Sequence, residues 1–465
     1  MELFDVIIIG GGPAGSTAAT TLAKMNYKVL LLEKENFPRE HIGESLIPAS
    51  YGTLARLGVL EELKKISPRK PGVNFVNSDG ETETLWCFRT VVKDDSYLSF
   101  HVKRSIYDEM LLNNSRRNGA TVKEGTAVKN VVLENASGNV EVETLNKAGE
   151  RQTHHARFLI DASGQSTFLG SKLGVKKSFA DLDRVALWSH WSNPSFDLSL
   201  QQGVIKIVYL GGDKKGWFWV IPISHDNLSI GAVMNNSFMK QQKEKFISEG
   251  KTDWKTEIYM QEIENSPCVK ALLGEAVMNH KVQVNGDYSY YCEKKFGKNF
   301  AMIGDAGAFL DPIFSSGIFV GMRSAELVSE AIHKLFSADD QTALENVYVK
   351  INGAVNVLEK FIRLFYKPEV LNFSTLGDPT RQAGFKKTEN IYSLFHFLLA
   401  GDFFEDHRKY SEFLDTMHDY QMVEKFRNLI SYSREANAVV NCGEQYEEMY
   451  GKMTAKLEFD LSAFN

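Results

Sequence analysis

Cysteine is scarce. The four residues Cys87, Cys268, Cys292 and Cys442 form no CxxC pair in a chain of 465 residues. That spacing offers neither a disulfide framework nor a zinc site and points to a reducing compartment. Long apolar runs are missing as well. The early "VIIIG" is short and follows the acidic Glu2 and Asp5, unlike a secretory signal. The late "IYSLFHFLLA", residues 391–400, is interrupted by Ser393 and His396 and falls well short of the roughly 20 residues a membrane span needs. There is no basic surplus. A net charge of -6 argues against a dominant nucleic-acid role. Repeats and low-complexity linkers are also absent. What remains is a cytoplasmic, soluble protein of ordinary folded composition, without stable membrane insertion and long enough for two or three structural units.

Against those absences, the first forty residues are dense with signal. In "FDVIIIGGGPAGSTAATTLAKMNYKVLLLEKE", Val6 to Ile9 form a short β-branched run, apolar throughout, as expected of a strand buried on both faces. Gly10, Gly12 and Gly15 follow in GxGxxG spacing, then a helix-compatible stretch, then "KVLLLE" as a second strand ending in Glu33. Each part has a mechanical reason. Gly10 allows a tight turn, Gly12 lets the backbone approach a pyrophosphate, and Gly15 lets helix pack on strand. The pyrophosphate rests on the positive end of the helix, near Ala14. Glu33, with Lys34 beside it, accepts hydrogen bonds from a ribose hydroxyl and repels a 2′-phosphate. Strand, glycines, helix, strand and acid in this order predict dinucleotide binding.

Two later stretches bear on which dinucleotide. "DASGQST" (residues 161–167) follows the strand-like "RFLI", and "FAMIGDAGAFLDPIFSSGI" (residues 300–318) runs from a strand through Gly304-Asp305 into a loop and helix. Both resemble the flavoprotein monooxygenase superfamily. The resemblance implies FAD, with Asp305 and Gly304 at its ribityl and pyrophosphate part and Arg104, from "VKRSIYDEMLL", as a further contact. No second strand–GxGxxG–helix unit seats NAD(P)H, because "VYLGGDKKGWFW" leads into a strand. The flavin is therefore expected to be reduced by a separate flavin reductase or by a transiently visiting nicotinamide.

The expected fold is α/β. A Rossmann-like FAD-binding domain, similar to p-hydroxybenzoate hydroxylase and glutathione reductase, is assigned to 1–74, 101–179 and 281–335. An inserted antiparallel β-sheet substrate domain takes 75–100 and 180–280, where short alternating runs are separated by turn residues. A helical, aromatic-rich C-terminal cap takes 336–465, on apolar residues at three-to-four spacing from about residue 330.

Three stretches narrow the class to a resemblance with the flavin-dependent halogenases. "FPREHIGESLIPAS" (37–50) carries their GES. "SPRKPGVNF" places Lys70 where the family has an essential lysine before a glycine-containing entry to a strand. "GWFWVIPI" matches their WxWxIP at Trp217, Trp219, Ile221 and Pro222. Strand alternation puts Trp217, Trp219 and Ile221 on one face. The motif's implied role is steric, keeping an organic substrate away from the flavin so that oxygen insertion is disfavoured.

The resemblance implies a mechanism. Reduced FAD and O2 give a flavin hydroperoxide. Chloride or bromide, held against the backbone amides of Ser316-Gly317 with Ser315 as an accessory donor, attacks it. Hypohalous acid then crosses a tunnel to Lys70, which either polarises it or becomes a haloamine, and an electron-rich ring attacks the halogen. One departure matters. Tryptophan halogenases place a glutamate shortly before their threonine-glycine pair; in this chain the residue two before Ser316 is Phe314, and that acid is missing. Phenol- and pyrrole-type halogenases fit better, with the ring free or carrier-tethered. The candidate bases are His101, Glu44 and Asp311. Antibiotic or secondary-metabolite biosynthesis is the expected setting. The alternatives are an aromatic hydroxylase, which leaves Lys70 and WxWxIP unexplained, and a geranylgeranyl-reductase-like flavoprotein, against which GES and SSG speak. No metal site is expected.

Overall fold

A computed structural model describes residues 2–286, 289–369, 371–374 and 394–417. The N-terminal strand β1 (Leu3–Ile9), helix α1 (Pro13–Lys24) and strand β2 (Val29–Leu32) form the expected βαβ start. β1 lies centrally in a parallel sheet, between β2 and the strand Arg151–Asp161, with Phe300–Met302 and Thr121–Lys123 outside them. Its residues Val6 to Ile8 are wholly buried, which is why the run is apolar on both faces. An antiparallel meander, Thr126–Val132 and Val140–Asn146, leads back into Arg151–Asp161. α1 packs against the helices Arg104–Arg117 and Gly317–Ala338.

A second sheet runs in the order Val277–Met278, Arg184–Ser192, Asn227–Asn235, Trp217–Pro222, Ile205–Tyr209, Gly72–Val76 and Glu83–Cys87. Its pairings are antiparallel except that between Ile205–Tyr209 and Gly72–Val76. The pleat sorts its side chains onto two cores. Trp217, Trp219 and Ile221 enter the core shared with the flavin-type sheet and the C-terminal helices. Phe218 and Val220 enter another, behind the sheet.

Two differences from the sequence reading appear. Residues 236–273, inside the stretch expected to be strands, instead form the helices Asn236–Ser248, Trp254–Glu264 and Pro267–Leu273. Ile258, Tyr259 and Ile263 recur at helical spacing to cover the rear core, and Ser266 caps the helix opened by Pro267. The helix expected after the 300–318 loop runs from Gly317 to Ala338, and helices follow at Ala343–Phe365 and His407–Thr416. The remainder of the expected cap lies outside the described residues. Cys268 and Cys292 are free, whereas Cys87 is disulfide-bonded, a pairing that linear spacing did not show.

Candidate active site

The glycine loop shows why each glycine is required. Gly10 sits at φ +101°, and a Cβ there would lie 2.4 Å from the Ala162 carbonyl oxygen. A Cβ on Gly15 would lie 1.9 Å from the carbonyl oxygen of Gly10, so only hydrogen permits that approach of helix to strand. Gly12, the N-cap of α1, faces a ligand cavity instead, with the guanidinium of Arg39 across from it. At the end of β2 the Glu33 carboxylate accepts the Gly11 N–H at 2.6 Å and the Glu35 N–H at 2.9 Å. It is thereby aimed at the loop, with Lys34 next to it on the cavity wall.

Arg39 was missed by the sequence reading. Its Nη2 pairs with Asp108 at 3.3 Å, while Nη1 is buried without a partner on the same wall. An unpaired buried guanidinium N–H is costly, and a pyrophosphate oxygen would satisfy it. The "FPRE" run directly after β2 was the available signal. Arg104 is already engaged. It makes a two-pronged pair with Asp108 at 2.8 and 2.9 Å and donates to the Ile42 carbonyl at 2.5 Å, fixing the 41–43 loop on the cavity rim. Asp305 and Gly304 line the opposite wall. Burial pushes the Asp305 carboxyl up to about 6, opposed by the Arg104 charge. A Cβ on Gly304 would meet Gly321 at 3.1 Å and Ala14 at 3.3 Å, so this glycine lets the Gly317–Ala338 helix reach α1.

Glycine loop, Glu33, Arg39 and Asp305 share a single cavity of about 490 Å³ that continues to Trp217, Trp219 and Ile221. Its size is that of a cofactor site. The N-termini of α1 and of Gly317–Ala338 both open into it, two positive helix ends at one cavity. The glycine cradle, the aimed acid and the unpaired Arg39 donor fit FAD.

At the second helix start, Asp311 Oδ1 accepts the Ile313 N–H at 3.1 Å and caps the Pro312–Phe314 turn. Ser315 follows at φ +55°, a left-handed conformation rarely taken by serine. Ser315 and Gly317 line the cavity and Ser316 is buried between them. A Cβ on Gly317 would meet no heavy atom within 4 Å, so there is free space beside this helix start, whose positive end suits an anion.

Trp217 and Trp219 line the same cavity. Their rings are 5.9 Å apart, with Trp217 Nε1 donating to Tyr366 Oη at 2.9 Å and Trp219 Nε1 to Ser229 Oγ at 3.1 Å. Pro222 is buried but not on this wall, since alternation turns it to the other face.

Lys70 is wholly buried, not a solvated loop lysine. It lies on the short strand Arg69–Lys70, paired with Ser99 across from it, and its ammonium donates to the Leu46 carbonyl at 3.0 Å and lies 5.5 Å from the Phe88 ring centre. It is not on the cavity wall; Glu44 and Ser45, just ahead of Leu46, are. Burial pushes its amine down to about 7. His101, likewise buried, contacts the Gly203 carbonyl through Nε2 at 2.8 Å. A carbonyl only accepts, so Nε2 holds the proton and Nδ1 presents a lone pair with no partner. Burial and the Lys70 charge push this ring down to about 3, leaving it a weak base. Asp311 has both oxygens engaged, by Ile313 and Tyr366. Glu44 accepts from His190 at 2.9 Å through one oxygen and keeps the other buried and unpartnered. Of the three candidate bases, Glu44 alone combines a place on the cavity wall with a free acceptor oxygen. Burial pulls the His190 ring down, but the Glu44 carboxylate outweighs it and the net shift is upward.

The chain as a whole resembles known proteins. The model of the tryptophan halogenase family matches residues 5–94 and 87–374. The 1H-pyrrole-2-carbonyl-(peptidyl-carrier protein) chlorinase of Pseudomonas fluorescens is 31% identical over 401 residues, 81% of this chain and 86% of that protein. The tryptophan 2-halogenase of Chondromyces crocatus is 32% identical over 72% of this chain, which spans only 62% of that relative's length. Among solved structures, the myxobacterial chondrochloren halogenase CndH superposes with a TM-score of 0.70 at 29% identity, covering 93% of this chain and 100% of its own.

Proposed function

The chain belongs to the tryptophan halogenase family and is an enzyme of the flavin-dependent halogenase type, and from that premise we propose that it installs chlorine or bromine on an electron-rich phenol or pyrrole ring. The observation that carries this reading is Lys70, a fully buried amine pushed down to about 7, in a chain that also holds a left-handed turn at Ser315 leading into the helix start at Gly317. When bound, reduced FAD supplies electrons and activates O2 for oxidation of the halide. The residues do the rest. The amides of Ser316 and Gly317, with the Ser315 hydroxyl, hold chloride or bromide at the positive helix end. Trp217, Trp219 and Ile221 bar the arene from the flavin side. Hypohalous acid reaches Lys70 past the Glu44–Leu46 segment.

There the ammonium donates its proton to the oxidant's oxygen as the ring's π electrons take the halogen. Water leaves, and the resulting amine takes the ring proton, so that ArH and HOX become ArX and H2O with Lys70 restored. An amine near 7 can serve in both directions at neutral pH. Glu44, backed by His190, takes the proton of a phenol hydroxyl. The missing glutamate, replaced by Phe314, supports a ring that is already activated. The carrier-linked pyrrole named for the Pseudomonas chlorinase supports a carrier-tethered ring as one substrate form. A separate flavin reductase supplies the reduced cofactor.

The test supplies reductase, NADH, FAD, O2 and either chloride or bromide, with phenols, free pyrroles and a carrier-bound pyrrole. Mass spectrometry should show halogen isotope pairs on a ring. Hydroxylated product formed equally without halide would overturn the reading.

A further inference from the structure

Tyr366 lies at the C-terminal end of the Ala343–Phe365 helix, about fifty residues beyond the halide turn in sequence. Its hydroxyl nonetheless touches two parts of the site. Trp217 Nε1–H donates to it at 2.9 Å, and it lies 2.7 Å from Asp311 Oδ2. An indole N–H can only donate, so Oη accepts there and its own hydrogen goes to Asp311. The other Asp311 oxygen caps the turn that leads into Ser315. One oxygen therefore fastens the tryptophan strand, the halide turn and the C-terminal helix together. The ring is held as well. The Arg184 guanidinium stands 4.3 Å from its centre, and neighbouring Phe365 packs edge-on at 5.4 Å. From the same helix, Phe361 stacks on Phe314 at 3.9 Å. Ser315 needs such support, because a non-glycine residue at φ +55° persists only where its surroundings over-determine it.

We propose that Tyr366 is a positioning residue, which locks the Asp311–Gly317 turn against the tryptophan barrier and so sets halide affinity without touching halide or arene. The proposal rests on the reading that Ser315–Gly317 holds the halide. Removing the hydroxyl would leave Trp217 Nε1 and Asp311 Oδ2 buried and unpaired, and the turn would relax toward an unstrained conformation.

The test is Tyr366→Phe in the FAD-loaded protein, which keeps the ring and its Arg184 and Phe365 contacts. The KM for bromide should rise about 10-fold, equivalent to roughly 1.4 kcal/mol. The KM for the arene and the affinity for FAD should stay within about twofold of wild type. Saturable quenching of tryptophan fluorescence by iodide, read without turnover, should weaken in parallel. A lowered melting temperature with unchanged bromide KM and iodide quenching would overturn the proposal and leave the hydroxyl a strut of the fold alone. A wild-type protein whose turnover ignores halide would overturn the functional reading itself, and that result precedes any variant.

Discussion

Lys70 brings a four-carbon ammonium into a position with no solvent contact, supported by one carbonyl and one ring face. With its amine pushed down to about 7 from the ordinary 10.5, the sign of the pH effect follows. Below pH 7 the lysine is protonated in folded and unfolded chains alike, and the full cost of burying the charge stands. Between 7 and 10.5 the unfolded chain binds more protons, so stability rises with pH; above 10.5 the penalty is gone. Lys70→Met should therefore stabilise the protein by an amount on the order of several kcal/mol below pH 7, shrinking toward pH 10. Urea unfolding of both proteins at pH 6 and pH 9.5 checks this. At Arg39, truncation to alanine should weaken FAD binding about 10- to 100-fold, the loss of a charged hydrogen bond of roughly 1.5–3 kcal/mol, read by flavin fluorescence. The family resemblance singled out Lys70 by its place before a glycine and a strand. Its burial was not, since nothing in "SPRKPG" separates it from Arg69. His190 and Tyr366 carried no local signal, because their partners Glu44 and Asp311 lie far away in sequence.

The strand Trp217–Pro222 shows how far an element can be read in advance. Alternation placed Trp217, Trp219 and Ile221 on one face, and the cavity wall follows that pattern. What the strand requires of its neighbour was hidden. Trp219 is paired across the sheet with Gly231, and a Cβ on that glycine would lie 2.1 to 2.4 Å from three indole atoms. The ring lies directly over the glycine backbone. Gly231→Ala should evict the indole, lower stability by roughly 1–3 kcal/mol and disturb the barrier. Thermal unfolding reads the first effect. The ratio of halogenated product to flavin oxidised reads the second. Gly231 could not be recognised without knowing the strand register. The helices at 236–273 were misread for a related reason. A one-sided apolar pattern over short stretches fits either period until the covering core is known.

Across the whole molecule, the cofactor motifs were the most legible because they are local: turn, helix start and acid fall within about thirty residues. The proposed chemical site is the opposite case, drawing Lys70, Trp217 and Ser315–Gly317 from segments spread over some 250 residues. Only family resemblance linked them in advance. Because the FAD cavity spans both sheets, its ligand should stabilise them together. FAD at 100 times its dissociation constant should add about 2.7 kcal/mol to stability, seen as one cooperative upward shift of the melting transition. The Arg39→Ala variant should need correspondingly more FAD for the same shift.

The central claim is that Lys70 is the proton donor that activates hypohalous acid for attack by the ring, and Lys70→Met tests it most directly. The variant is supplied with FAD, flavin reductase, NADH, O2, bromide and an accepted arene, together with a soluble trap for hypohalous acid. Flavin oxidation and trapped oxidant should persist while ring halogenation falls by about 10²–10⁴-fold, the range expected for loss of a positioned proton donor. Ring halogenation within a few-fold of wild type would contradict the account.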